Sequence, residues 1–393
     1  MALLSSPTSS IAPDDAIRVM VVDDALVIRG LIARMLEAEP GIAIVASVGD
    51  GERAVAYLER NDVDVVVLDI EMPKMDGLTA LPKLLALRPG LQVIMASTLT
   101  QRNAEISLKA LQLGAAEYLP KPASSGELRS ADDFKRELID KVKALGRVAK
   151  RARRRDPSSG QAASPTALQP ATARPMGTRP PPLAKVSQAG QPPVLRKMST
   201  QKPEIIAVGS STGGPQALFK VMEVLGRQTQ LPILITQHMP ATFTKILAEH
   251  LTKASGRQAL EGVQGEPILP GRIYVAPGDW HMRVRQDGTR RVIALDQEPP
   301  ENFCRPAVDP MFRSLGDVYG GRVLAAVLTG MGSDGARGAV TLADKGCTII
   351  AQDEASSVVW GMPGATVQAG AAAAVLPIEE IGPYMARLAG GRP

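Results

Sequence analysis

Residues 151 to 200 contain nine prolines and no aromatic residue. Such a segment buries too little apolar surface to offset the entropy lost on ordering it, so it reads as a spacer. The chain of 393 residues is thereby split in two, and each flank must build its own core. As a coil, the spacer would reach on the order of 40 Å, further if stiffened by proline, so the flanks are free to meet or part. It also holds nine Lys/Arg against one Asp, so the other 343 residues carry about −3 of the chain's net +5. A basic nucleic-acid groove in the folded parts is disfavoured, whatever the overall pI suggests.

Other properties narrow the class. No apolar run approaches the roughly 18 residues that a bilayer span needs. The start, MALLSSPTSSIAPDD, lacks the basic and apolar regions of an export signal, so the cytosol is the expected compartment. Cys304 and Cys347 are the only cysteines and form no CxxC pair, which leaves neither a disulfide framework nor a cysteine zinc site.

Before the spacer, short β-rich runs alternate with helical patterns: RVMVVDD, IAIVASV, VDVVVLDI, QVIMAST and EYLPKP, with a last helix expected from about 131 to 145. After it the alternation resumes with EIIAVGSS, PILITQH, VLAAVLTG, CTIIAQD and AAAAVLP. GRIYVAP, HMRVRQ and RRVIALD read as an antiparallel insertion turning at Asp287 and Gly288. The expected fold is α/β: two doubly wound parallel-sheet domains, the second with a hairpin insertion, joined by a disordered linker. The boundaries fall at 1–16 for a tail, 17–145, 146–202 for the linker, and 203–390.

In such sheets ligands bind beyond the carboxyl ends of the strands. Asp23 and Asp24 end the first strand, Asp69 the third, Ser97 the fourth, and Lys121 the fifth, just before Pro122. Either early Asp alone would be read as a helix cap, and Ser97 or Lys121 alone as a turn or solvated residue. Together they make an acidic cluster that needs a cation, and hard oxygen ligands suit Mg²⁺. Asp69 could then attack a phosphoryl donor.

With VVDD, VVVLDIEMPKMDG, MAST and EYLPKP in order, residues 17 to 145 resemble the receiver domain of bacterial response regulators. The resemblance implies phosphorylation of Asp69 by a histidine kinase, and Mg²⁺ held by Asp24, Asp69 and the Glu71 carbonyl, with Asp23 assisting through water. It also implies switch roles for Ser97, Tyr118 and Lys121, and a cis bond between Lys121 and Pro122. Ala25 departs from the serine that many relatives carry after the acidic pair.

In the second half, Gly209, Ser211 and Gly213 form a G-x-S-x-G between a strand and a helix. Alone, the motif leaves a nucleophile elbow, a phosphate cradle and plain packing all open. A serine nucleophile needs a base, and the histidines are His238, His250 and His281. His238 ends PILITQH at the same sheet edge, His250 lies in a helical pattern and reads as a surface residue, and His281 is the second candidate. The segment VLAAVLTGMGSDGARG brings Asp334 to that edge, either to orient the histidine or merely to cap a helix. Glycines flanking Met331 free backbone N–H groups for an oxyanion.

The chain order Ser, His, Asp is not that of α/β-hydrolases. Through GSSTGGP, ITQHMP, YVAPGDWHM, LTGMGSDGARG and AQDEASSVVWGMP, residues 203 to 390 resemble the catalytic domain of chemotaxis response regulator protein-glutamate methylesterases. That resemblance implies Ser211 as nucleophile, His238 as base, Asp334 as orienting carboxylate, the Met331 N–H as oxyanion donor and Thr212 as support. Ser210, often Ala in relatives, is not the nucleophile. The implied activity is demethylation of glutamyl esters on methyl-accepting chemoreceptors, releasing methanol, with deamidation of receptor glutamines by the same acyl chemistry. No cofactor is implied for the ester reaction, and the receiver is expected to cover the esterase mouth until phosphorylated. A DNA-binding regulator would need a helix-turn-helix after the spacer, and a nucleotide-binding domain would leave His238 and Asp334 unused.

Overall fold

The computed structural model describes residues 16–98, 100–121, 128–155 and 194–390. The N-terminal unit runs β1 (Ile17–Val22), α1 (Leu26–Glu37), β2 (Ile42–Val48), α2 (Gly51–Leu58), β3 (Val65–Asp69), α3 (Gly77–Leu87), β4 (Gln92–Thr98), α4 (Gln101–Gln112), β5 (Glu117–Lys121) and α5 (Leu128–Arg155). All strand pairs in it are parallel, in the order β2-β1-β3-β4-β5. Alternate residues of β1 explain the layers. Met20 and Val22 pack with Leu58, Leu81 and Leu108 of α2, α3 and α4, while Val19 and Val21 pack with Leu36 of α1 and Leu138 of α5.

The C-terminal unit runs β6 (Ile205–Ser210), α6 (Gly214–Gln228), β7 (Ile233–Gln237), α7 (Ala241–Ser255), β8 (Ala259–Glu261), β9 (Ile273–Val275), β10 (His281–Asp287) and β11 (Arg290–Asp296). It continues with α8 (Val308–Tyr319), β12 (Val323–Val327), α9 (Ala336–Asp344), β13 (Thr348–Gln352), α10 (Met362–Gln368), β14 (Ala374–Leu376) and α11 (Ile378–Gly390). Seven strands pair in the order β14-β13-β12-β6-β7-β9-β8, again parallel throughout. Ile206 and Val208 face Leu218, Leu247 and Met385 on one side, whereas Ile205 and Ala207 face Phe312 and Leu342 on the other.

Three expectations about elements need correction. GRIYVAP does not join the antiparallel insertion: β9 pairs parallel with β7 and β8 and extends the main sheet, so only β10 and β11 make the hairpin. Alternating hydrophobicity does not report strand direction. The hairpin turns at Gly288 and Thr289, because Asp287 still pairs with Arg290. Helix α5 reaches Arg155, ten residues beyond the expected end. Its Lys, Arg and Ala residues are good helix formers, and the first proline of the spacer comes only at Pro157. Arg153 on this extension meets Asp64 at 3.5 Å. The tail, the body of the spacer at 156–193 and the bond from Lys121 to Pro122 lie outside the described residues.

The two units pack together along the α4, β5 and α5 side of the first. Tyr118 of β5 stacks on Phe243 of α7, with ring centroids 4.3 Å apart and planes 18° from parallel. The Gln216 amide on α6 donates to the carbonyls of Leu111 and Ala115 at 2.7 and 2.6 Å. Arg151 pairs with Glu354.

Candidate functional site

At the first sheet edge, β1, β3 and β5 deliver Asp23, Asp69 and Lys121 to one point. The Lys121 ammonium lies 2.7 Å from both Asp23 Oδ2 and Asp69 Oδ1. Asp23 does not cap α1; its Oδ1 accepts the Ala25 N–H at 2.9 Å, and Ala25 itself stands at the cap position. Burial pushes the Asp69 carboxyl above its usual range; Lys121 opposes the shift and Asp23 adds to it. Ser97 is buried, with its hydroxyl 3.2 Å from that of Ser107. Tyr118 points away from this cluster into the contact with α7, and burial raises its phenol well above the usual value.

Carboxylate oxygens of Asp23, Asp24 and Asp69 lie within 4.8 Å of one another. Asp23 Oδ2 is buried and has the Lys121 ammonium at 2.7 Å as its charged neighbour. This all-oxygen set of three carboxylates fits a hard divalent ion such as Mg²⁺. Glu71, whose carbonyl completes the expected set, follows β3 by two residues and is exposed.

At the second edge, β6 ends in Ser210 and the chain turns sharply into α6. Gly213, at φ 73°, caps that helix in the left-handed region, where a side chain would also strike Val358. Ser210 is fully buried and donates to Gln237 Oε1 at 2.7 Å, whereas Ser211 is partly exposed. The same Gln237 amide donates to the carbonyls of Ser211 and His238 at 3.0 and 3.1 Å. It ties the turn to the end of β7. Gly330 approaches so closely that a Cβ there would lie 2.8 Å from that of Ser211 and 3.0 Å from its backbone N. Thr212 is buried, and its carbonyl accepts the Thr329 hydroxyl at 2.9 Å.

Asp334 does not cap α9; Gly335 holds that position. Its Oδ2 instead meets His238 Nε2 at 2.7 Å, with the carboxylate nearly inaccessible. Burial alone would raise the Asp334 carboxyl. The imidazole and the N–H groups of Val308 and Asp309 outweigh it and hold the carboxyl below its usual range. The other histidines lie apart from this pair. His281 is fully buried in β10, accepts the Ala307 N–H on Nδ1 and faces the Pro299 carbonyl with Nε2. His250 is not a free surface residue: it sits against the first unit, 3.1 Å from the Gln112 amide.

Three functional neighbours were not singled out from the sequence. Asn302 donates to Asp334 Oδ1 at 2.9 Å, Cys304 Sγ lies 3.3 Å from His238 Nδ1, and Gln237 holds the serine turn. The first two come from a loop with no strand-end pattern to betray it, while the Gln before His238 was visible within ITQHMP. The first unit also reaches this site. Burial raises the Glu117 carboxyl of β5, while Lys141 and the nearby Thr212 side chain oppose the shift. Arg136 of α5 lies over the Phe303 ring, 5.2 Å from its centroid.

Among the described residues no helix is long and apolar enough to cross a membrane. Comparison with known proteins finds relatives for both units. Residues 206–385 match the family model described as CheB methylesterase, and residues 19–132 match the response regulator receiver domain. A protein-glutamate methylesterase/protein-glutamine glutaminase of Azospirillum brasilense is 56% identical over 98% of this chain and 95% of its own length. One of the same name from Paramagnetospirillum magneticum is 55% identical over 96% and 97%. The crystal structure of the Thermotoga maritima CheB methylesterase catalytic domain superposes with a TM-score of 0.46 at 38% identity, covering 47% of this chain and 98% of that one. Identity at this level across both units, in this order, means that the chain belongs to the family of receiver-linked CheB methylesterases.

Proposed function

We propose that this chain is a phosphorylation-gated hydrolase that removes methyl groups from glutamyl side chains of chemoreceptors and deamidates receptor glutamines. The observation that carries the reading is the 2.7 Å contact between His238 Nε2 and Asp334 Oδ2 beside the Ser211 turn. A buried carboxylate on one imidazole nitrogen fixes the ring and stabilises its charged form, leaving the other nitrogen to take the serine proton.

In this reading Ser211 Oγ attacks the ester carbonyl while His238 Nδ1 takes its proton. The oxyanion develops against the Met331 N–H, where the close approach of Gly330 puts backbone beside the serine. Collapse expels methoxide, which leaves as methanol with the proton from His238. Water then adds to the glutamyl ester of Ser211 with the same base, releasing the receptor glutamate. With a glutamine substrate the leaving group is ammonia.

The receiver supplies control. Asp69 would attack the phosphorus of a phosphohistidine on a kinase, breaking the N–P bond and forming an acyl phosphate, with Lys121 at hand for the new charge. Asp23, Asp24, Asp69 and the Glu71 carbonyl would hold Mg²⁺, which would neutralise charge on the incoming phosphoryl group. Before that event Glu117, Tyr118 and Arg136 rest on Thr212, Phe243 and Phe303 around the esterase mouth, an arrangement suited to restraint.

The test is methanol release from methylated receptor. Ser211→Ala should lose about three or more orders of magnitude, as expected when the nucleophile goes. Ser210→Ala should stay within tenfold of the parent. The reverse pattern would mean that the wrong serine has been assigned.

A further inference from the structure

The segment Glu301–Cys304 closes on itself with two backbone hydrogen bonds, 3.1 Å from Glu301 N to Cys304 O and 2.9 Å in return. Its central residues, Asn302 and Phe303, both adopt left-handed backbone, at φ 52° and 64°, without being glycine. Non-glycine residues in this region are strained and persist where surroundings hold them. Here the side chains supply the hold. Asn302 Nδ2 donates to Asp334 Oδ1 at 2.9 Å and to Asp309 Oδ2 at 3.2 Å. Phe303 projects outward, 86% exposed, beneath Arg136 of the receiver. Cys304 turns inward to His238.

That inward contact falls on the nitrogen the reaction needs. His238 Nε2 is committed to Asp334, so only Nδ1 remains for Ser211, and Cys304 Sγ lies 3.3 Å from it. Among the described residues no hydrogen bond joins the Ser211 hydroxyl to His238. The single in-plane position on Nδ1 cannot serve a sulfur and a hydroxyl together. We propose that Cys304 is a positioning residue that parks the His238 base away from Ser211 in the unphosphorylated chain, and that its turn links that base to the receiver through Phe303 and Arg136. This inference rests on the reading of Ser211 as nucleophile and His238 as its base.

The electrostatics agree with the geometry. Burial works against charge on His238, but its contacts with Cys304 and Asp334 prevail and push the imidazole up to about 10. A ring protonated on both nitrogens has no lone pair to accept from a serine. Restraint then acts on the base itself, and covering the mouth against a large receptor is not the whole of it. The two modes differ in one respect: a cover excludes proteins but admits a small reagent, whereas a parked base leaves the serine inert to both.

The experiment labels the full-length, unphosphorylated chain with phenylmethanesulfonyl fluoride, follows the adduct by intact mass and maps its position. Cys304→Ala should label at Ser211 about tenfold faster than the parent, and demethylation should gain in kcat with KM for the receptor unmoved. Cys304→Ser, whose hydroxyl still competes for Nδ1, should fall between the two. Unchanged or slower labelling in a folded Cys304→Ala protein would overturn the proposal. A parent adduct mapping away from Ser211 would instead sink the nucleophile assignment on which it rests.

A second readout uses the unsubstituted protein. With only three histidines, ¹⁵N spectra of the imidazoles isolate His238. Its Nδ1 resonance should shift when acetyl phosphate is added, as the base leaves Cys304. A resonance that stays in place while Asp69 becomes phosphorylated would equally overturn the proposal.

Discussion

The two sheet edges solve opposite electrostatic problems. At the receiver edge three carboxylates gather and, among the described residues, Lys121 is the one ion-pair partner within reach of two of them, so the cluster is short of positive charge. At the esterase edge Asp334 is satisfied on every side, His238 and Val308 N on Oδ2, Asn302 and Asp309 N on Oδ1, and the buried Asp309 carboxylate shares the Asn302 amide with it. The first edge is built to take in charge from outside. The second holds its charge fixed, as a preorganised site must, and leaves the imidazole as the part that can change partners. In the proposed reading, ligand uptake belongs to one edge and proton transfer to the other.

The sharpest way to break the contrast is to remove the fixed charge. Asp334→Asn keeps the shape but leaves an amide facing His238, which favours the wrong tautomer and removes stabilisation of the imidazolium. Demethylation should fall by about 10³-fold or more, with little change in KM for methylated receptor. A loss below tenfold in steady-state rates would mean that the carboxylate serves structure alone.

A smaller effect is expected at the charge-poor edge. Asp69→Asn removes the acceptor while keeping a polar side chain beside Lys121, so basal demethylation should stay within a few-fold of the parent. The response to a phosphodonor such as acetyl phosphate should vanish. If stimulation survived, some other residue would be taking up the phosphoryl group, and the comparison of edges would lose its regulatory meaning.

The two edges also differ in how far the sequence discloses them. Asp23, Asp69, Ser97 and Lys121 each follow or end a β-rich run, and parallel strands align such ends automatically. Ser211, His238 and Asp334 are legible for the same reason. Asn302 and Cys304 are not, because they lie in an irregular loop whose place is set by tertiary contacts to Asp334 and His238. The direction of β9 was hidden because a run of apolar residues reads alike in either orientation. The end of α5 is not legible because composition averaged over the spacer masks a helix-forming start. The packing of the two units was expected only as a consequence of resemblance. No local pattern announces that Tyr118 will stack on Phe243.

That packing offers the finest test of how the edges communicate. Gln216 lies on α6, apart from the acidic cluster and from the His238–Asp334 pair, and its amide donates to two carbonyls where α4 ends and β5 approaches. Leu111 O also accepts the Gly114 N–H at 3.2 Å and Ala115 lies in the link to β5, so the amide takes acceptor positions that water would otherwise fill. Because water does replace them, the net worth of the two bonds is about 1–3 kcal/mol. Gln216→Ala should therefore loosen the receiver without altering Asp69, Lys121, His238 or Asp334. Basal demethylation by the full chain should rise about three- to tenfold, while the fully phosphorylated rate stays that of the parent. Stopped-flow comparison of the two phosphorylation states checks both halves of this expectation. A rise in both states would place Gln216 in the chemistry, and a rise in neither would mean that this contact holds the units together without restraining the base.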